Sequence, residues 1–223
     1  MTRRALLPLL LGVGLSLAAL PGCPAFLVDR GEIVEPTSDI APPPVSRMPR
    51  ADAYVELAAK WRRTTRVGIG GHAELTLIEP GLAAAEVAHE AAIQSAGDAT
   101  VADMLLTRWP VLFGVMRDRF PIDIEWRFDE QFIGNRRILD PEGWTFTLIS
   151  STGARFAPLG TAVLRQLPAP QDGAWVGAVR LWFPWLDPER RTQLLAGETK
   201  WVQLVLRHPS GVGDATWRFS PSW

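Results

Sequence analysis

From Ile122 towards the carboxyl end, apolar side chains recur on every second residue. That period of two restricts this half of the chain to β-strands with one face turned inward. Ile122, Ile124, Trp126 and Phe128 alternate with Asp123, Glu125 and Arg127. Trp144, Phe146 and Leu148 alternate with Thr145 and Thr147, and Val202, Leu204 and Leu206 alternate with Gln203 and Arg207. A strand over 175–183 places Trp175, Val179, Leu181 and Phe183 on one face, and Trp217 and Phe219 close the pattern. The breaks carry Pro141-Glu142-Gly143, Gln171-Asp172-Gly173 and Ser210-Gly211-Val212-Gly213. These residues set φ, bond their own backbone or accept positive φ, so they turn the chain. One or two helical turns are expected over 187–196, before Gly197.

The first half is less uniform. Val55, Leu57, Ala59 and Trp61 alternate with Glu56, Lys60 and Arg62, whereas Tyr54, Leu57, Ala58 and Trp61 stand at helical spacing. The cluster Gly68-Ile69-Gly70-Gly71 and the alternation from His72 to Ile78 favour a hairpin here. Glu79-Pro80-Gly81 breaks it. From Leu82 to Ser95 the chain is dense in Ala and Glu without Pro or Gly, which predicts a helix ended by Gly97. Asp98 is the expected cap of a second helix through Val101, Met104 and Leu105 towards Trp109, limited by Pro110. The expected fold is mainly β: an immunoglobulin-like antiparallel β-sandwich over 51–223, with a helical insertion at about residues 82–109.

Only one cysteine, Cys23, occurs among the 223 residues, so no disulfide forms within the chain and burial must hold the fold together. Residues 1–22 do not read as part of that fold. Met1 to Arg4 is a basic head, and 5–20 is an uncharged apolar run, shorter than the roughly 20 residues that cross a bilayer as a helix. Small residues follow before Cys23, so 1–22 is expected to be a signal peptide. Residues 23–50 hold Pro24, Pro36, Pro42, Pro43, Pro44 and Pro49 and read as an extended tether.

The segment Leu20-Pro21-Gly22-Cys23 resembles the signals of bacterial lipoproteins. In that family a leucine stands three residues before the cysteine and a small residue directly before it, and the thiol receives a diacylglyceryl group. Leu20, Gly22 and Cys23 match, while Pro21 occupies a slot that usually holds Ala, Ser, Thr or Val. The resemblance implies cleavage before Cys23, lipidation of its thiol and attachment to a membrane. Three acyl chains, at about 0.8 kcal/mol per buried CH₂, would make that attachment durable. Pro24 follows the cysteine where an Asp retains some lipoproteins at the inner membrane, so the resemblance points to the outer membrane of a Gram-negative bacterium. Beyond the signal, the chain resembles only uncharacterised predicted lipoproteins of GC-rich Gram-negative bacteria, and that likeness supplies no active residues.

Charge excludes one class of partner. The net charge is −1, and loss of 1–22, which carries Arg3 and Arg4 and no acid, leaves −3. No basic excess is available for nucleic acid. Arginine outnumbers lysine 21 to two, a bias that goes with the many Gly, Pro and Ala as codon usage.

Few residues carry recognisable chemistry. His89-Glu90-Ala91-Ala92-Ile93 begins like a zinc-protease helix, yet Ile93 stands where the second imidazole is needed, and His89 is expected to be solvated. Gly68-Ile69-Gly70-Gly71 lacks the following Lys-Ser/Thr and helix of a phosphate loop. There is no Gly-x-Ser-x-Gly elbow. Acid pairs such as Asp129-Glu130 remain open as general acid and base. No catalytic residue, metal ligand or cofactor is assigned.

Ten tryptophans against one tyrosine are the unusual feature of the composition. Most fall on inward strand positions, where an indole buries a large area. Trp182 and Trp185 flank Pro184 at a strand end, and Trp182 falls opposite Trp175 and Phe183, so these two are the candidate ligand-binding residues. Three readings follow: a non-enzymatic, lipid-anchored envelope module that binds or assembles with another protein; a glycan-binding module using surface tryptophans; and an envelope hydrolase working through a carboxylate pair facing a cleft.

Overall fold

The alternating segments form strands in two antiparallel sheets. In this computed structural model, which describes residues 42–113, 119–185, 194–195 and 199–219, the strands are β1 (Arg62–Arg66), β2 (Gly71–Leu77), β3 (Arg119–Asp129), β4 (Thr145–Ser150), β5 (Arg155–Phe156), β6 (Gly160–Gln166), β7 (Ala174–Pro184), β8 (Trp201–His208) and β9 (Gly211–Arg218). One sheet has the order β1-β2-β3-β7-β6 and the other β5-β4-β8-β9. Three helices, α1 (Ala53–Trp61), α2 (Pro80–Ile93) and α3 (Asp98–Leu112), make the fold mixed but mainly β.

The inward residues named by the alternation are buried. Ile122, Ile124, Trp126 and Phe128 of β3 are at most 1% exposed, and Phe146, Leu148, Val202, Leu204, Leu206 and Trp217 join the same apolar cluster. Aromatic contacts join the sheets: the Trp126 and Trp144 rings stack with centroids 5.1 Å apart, and Phe146 lies parallel to Trp126 at 6.3 Å. Trp144 donates its indole N–H to the Ile138 carbonyl (2.8 Å) and Trp175 donates to Ile133 (3.0 Å), so both donors are satisfied, whereas the buried Trp126 Nε1 finds no partner among the described residues.

The helices correct three expectations. Residues 53–61 are helical, not a strand: Tyr54, Leu57, Ala58 and Trp61 face the core, while Val55, inward on the alternating reading, is 67% exposed. Burial of the i, i+3, i+4 stripe overrides the β-propensity of Val55. The first helix of the insertion begins at Pro80, where Glu79 accepts hydrogen bonds from the Gly81 and Leu82 amides at 2.7 Å and Pro80 loses no bond at the first position. The second helix is capped by Gly97, not Asp98, and runs through Pro110 to Leu112. Only the last turn feels the proline, and burial of Trp109, Leu112 and Phe113 holds that turn in place. The insertion therefore spans 80–112. Val45 and Met48, within the expected tether, pack partly against the core.

The hairpin at the glycine cluster is present, with β1 paired to β2 from Arg62↔Thr76 to Arg66↔His72. Its turn leans on the β8–β9 turn, and Arg63 Nε donates to the Thr216 carbonyl at 3.1 Å, which closes one side of the two sheets. Gly68 has φ +64°, and a Cβ there would collide with the Ser210 carbonyl oxygen. Gly153 has φ +84° but open space around it. Gly153→Ala should therefore cost about 1 kcal/mol, from backbone strain alone, and Gly68→Ala at least about 2 kcal/mol. Urea unfolding of the two variants would measure the difference, and equal losses would show that the turn-to-turn contact is loose.

Candidate functional site

Cys23 lies outside the described residues, together with Leu20, Pro21 and Gly22, most of the tether, most of 187–196, and Trp223. No helix among the described residues is long and apolar enough to cross a membrane.

Trp182 and Trp185 sit near one another at the end of β7, each half-buried. The Arg119 guanidinium stands 5.5 Å from the Trp182 ring centroid, and Trp185 meets Phe120 edge-on at 5.9 Å. Each indole thus has a protein group against part of its ring. Trp61, Trp109, Trp126, Trp144, Trp175 and Trp217 are buried, and Trp201 is half-buried.

Among the described residues, exposed apolar side chains also stand along β6, at the edge of the five-stranded sheet. Among the described residues β6 pairs with β7 alone, from Gly160↔Trp182 to Gln166↔Gly177, with a bulge between Val163 and Arg165. Thr161 and Val163 lie opposite Leu181 and Val179, which are buried, so both share the inner face; yet Val163 is 52% exposed. The facing sheet ends in β5, only two residues long. Leu159 and Leu164 extend this exposed apolar edge. Sequence reasoning assigned no strand here, because Ala162-Val163-Leu164 runs apolar without alternation.

A second feature comes from the strand register. Arg62↔Thr76, Thr76↔Asp123 and Asp123↔Arg180 place four polar side chains in a row across the outer face. Arg180 grips Asp123 with two hydrogen bonds, Nε to Oδ1 at 2.7 Å and Nη2 to Oδ2 at 2.8 Å, and Arg62 Nε pairs with Glu74 at 3.0 Å. Helices α1 and α2 lie over this row and border a partly open cavity of about 100 Å³, lined by Tyr54, Arg62, Thr76, Glu86 and Asp123 among others. Among the described residues the Glu86 carboxyl makes no hydrogen bond and no ion pair. Burial holds its pKa above the ordinary value; Arg108 and Arg180 pull it back, while Glu90 and Asp123 push it further up. Tyr54 is likewise raised, first by burial and then by the Glu86 charge. Burial opposes the Arg180 charge, and the bond to Asp123 more than offsets that, leaving its pKa raised.

Glu86 and Asp123 are a carboxylate pair facing one space, as the hydrolase reading requires. Both Asp123 oxygens are taken by Arg180, however, and the cavity falls short of the roughly 300–1,000 Å³ of common ligand pockets. Asp129 and Glu130 sit at the end of β3, half-buried and exposed. His89 is not solvated as expected: it stacks on Tyr54 at 5.1 Å and bonds the Ala51 carbonyl through Nδ1 at 3.1 Å. Among the described residues no three His, Cys, Asp or Glu side chains are grouped to hold a metal. Glu86 stood in the sequence as one polar residue of an Ala-rich helix, and no local signal joins it to positions 123 and 180.

No protein-family model and no curated protein matches the chain. Among solved structures, it is similar to a novel protein of unknown function from Burkholderia pseudomallei K96243, known from a crystal structure at 1.90 Å resolution. The match has 14% identity and a TM-score of 0.47, covering 79% of this chain and 92% of that one.

Proposed function

We propose that this chain is a lipid-anchored cell-envelope protein, held through Cys23 on the outer membrane, whose folded domain is a non-enzymatic module binding an extended apolar segment of another envelope protein along β6. The anchor rests on Leu20, Gly22 and Cys23. The domain is read as an immunoglobulin-like sandwich. The orders β2-β3-β7-β6 and β5-β4-β8-β9 correspond strand for strand to the Greek-key pattern of that architecture, with β1 added at one edge and the helical insertion between the first two strands.

The observation that carries the binding role is the edge of β6, which pairs on one side only among the described residues. An edge strand offers a row of N–H and C=O groups to any extended chain, and proteins commonly blunt such edges with charge, proline or cover. Here the edge presents Leu159, Val163 and Leu164, each about half exposed, and the one charged side chain on the strand, Arg165, is drawn to Glu125 at 2.9 Å. Main-chain pairing would supply affinity, and the gap beside Val163 would accept alternate apolar side chains of the partner.

Two measurements test this reading. Cys23→Ser should move the protein from the membrane fraction to the soluble fraction and remove the mass of the lipid; a variant that stays in the membrane would refute the anchor. Cross-linking in intact cells should recover one dominant protein partner, and Val163→Lys should reduce that product by about tenfold or more while Val55→Lys, on exposed α1 surface, leaves it unchanged. An equal yield from both variants would remove β6 from the interface.

A further inference from the structure

The geometry points to the cavity under α1 and α2 as a binding site for a small primary alkylammonium group, held by Glu86. Around it stand three arginines, Arg62, Arg108 and Arg180, and four carboxylates, Glu74, Glu86, Glu90 and Asp123. Each arginine is committed: Arg62 to Glu74, Arg108 to Glu90 and Arg180 to Asp123. Three cations against four anions leave one negative charge when Glu86 is ionised, and it falls on the carboxyl that has no partner among the described residues.

The walls define what could neutralise that charge. Ala58, Ile78 and Leu82 make the apolar part of the lining, and Tyr54, Thr76, Glu86 and Asp123 its oxygen-bearing part, beside an Arg62 paired with Glu74. An alkylammonium matches both, placing methylenes on the apolar wall and N–H donors on the oxygens; charged-group hydrogen bonds of this kind are the strong ones. A bare metal ion would leave the apolar wall unused and finds no grouped ligands here. A dry cavity of about 150 Å³ holds benzene, so about 100 Å³ admits roughly four non-hydrogen atoms, the size of propylammonium or the tip of a lysine side chain.

Glu86 also behaves as a group kept at a cost to stability. Its raised pKa means that, above the ordinary carboxylate value, the native state holds a proton the unfolded chain has lost. Stability therefore falls as pH rises through that window. Glu86→Gln is accordingly expected to fold and, at neutral pH, to melt about 2–4 °C above the parent, with the gain vanishing at acidic pH. A lower melting temperature at neutral pH would mark Glu86 as a structural partner and overturn the assignment.

Tyr54 is the only tyrosine in the chain and lines this cavity, so its ring signals in NMR report on the site alone. The full chain, kept in non-ionic detergent, would be titrated with n-propylammonium chloride at neutral pH. A saturable Tyr54 shift with Kd on the order of 1 mM is expected. It should weaken about tenfold or more in Glu86→Gln, and in the parent it should fade as acid protonates Glu86. His89 stacks on Tyr54, so the shift recorded over the same pH range without amine is subtracted. A second titration with Nα-acetyl-lysine amide distinguishes a free amine from a protein side chain: binding of propylammonium alone assigns the site to small amines, and binding of both assigns it to lysine. No saturable shift, an equal response to sodium or tetramethylammonium, or an unweakened titration in Glu86→Gln would overturn the proposal. The outcome is independent of the β6 interface, since neither titration involves that edge.

Discussion

The two sheets are held face to face by stacked aromatic rings, and the rest of the fold is arranged around that stack. With a single cysteine, this chain has no covalent link available between its sheets. Trp126 of β3 stacks on Trp144, which enters β4, and Trp144 stacks in turn on His208 of β8 at 4.8 Å. One column thus joins three strands drawn from both sheets. Burial lowers the His208 pKa, which favours the neutral imidazole in contact with the indole. The column also fixes the neighbouring strand. A Cβ on Gly177 of β7 would lie 2.7 Å from Trp126 Nε1 and 3.3 Å from Leu139, so the indole occupies room that only glycine leaves. Residues 136–143, two short 3-10 turns between β3 and β4, bury Ile138 and Leu139 against it and supply the carbonyl that receives the Trp144 N–H.

On the outer face the same register that aligns the core aligns charges. Asp123 lies opposite Arg180 because Ile124 lies opposite Val179, so a one-residue slip would turn the apolar set outward and separate the pair together. The bidentate geometry makes the pairing specific, and its partial burial makes leaving either member alone costly. Glu86 stands apart from this logic. It comes from a helix placed over the row, faces a space shared with Asp123, and among the described residues lacks the ion pair that Arg62, Arg108 and Arg180 each have.

What could be read from the residues follows from how local each signal is. Strands around Trp126, Phe146 and Leu204 were legible because one face is buried and the other wet, and the Gly68–Gly71 hairpin because glycine marks its turn. Residues 53–61 satisfied both a period of two and a helical stripe, and only burial of Tyr54, Leu57, Ala58 and Trp61 decides between them. The cavity was not legible at all. Positions 62, 86, 123 and 180 are brought together by sheet order and by the helical insertion, neither of which leaves a spacing in the sequence. Trp182 alternates with the inner set as the pattern has it, whereas Trp185 packs partly against the core; the groups against their rings, Arg119 and Phe120, come from a strand more than 60 positions away.

The edges of the two sheets are treated unequally, and that asymmetry gives the β6 edge its significance. At one side β1 is Arg62-Arg63-Thr64-Thr65-Arg66, charged along its length, and it is drawn to β9 by Arg63 and by Thr65, whose hydroxyl accepts from the Asp214 amide at 3.4 Å. At the other side the four-stranded sheet stops at a two-residue strand, too short to cover what faces it. Among the described residues the inner face of β6 is consequently left open where Thr161 and Val163 would otherwise be sealed, and only the bulge at Leu164 interrupts the edge. A fold relying on burial alone gains nothing from leaving these side chains in water. Charged substitution at β6 would blunt the edge as charge does at β1, with no loss of core packing, so the stability of the domain gives no reason for an apolar edge there.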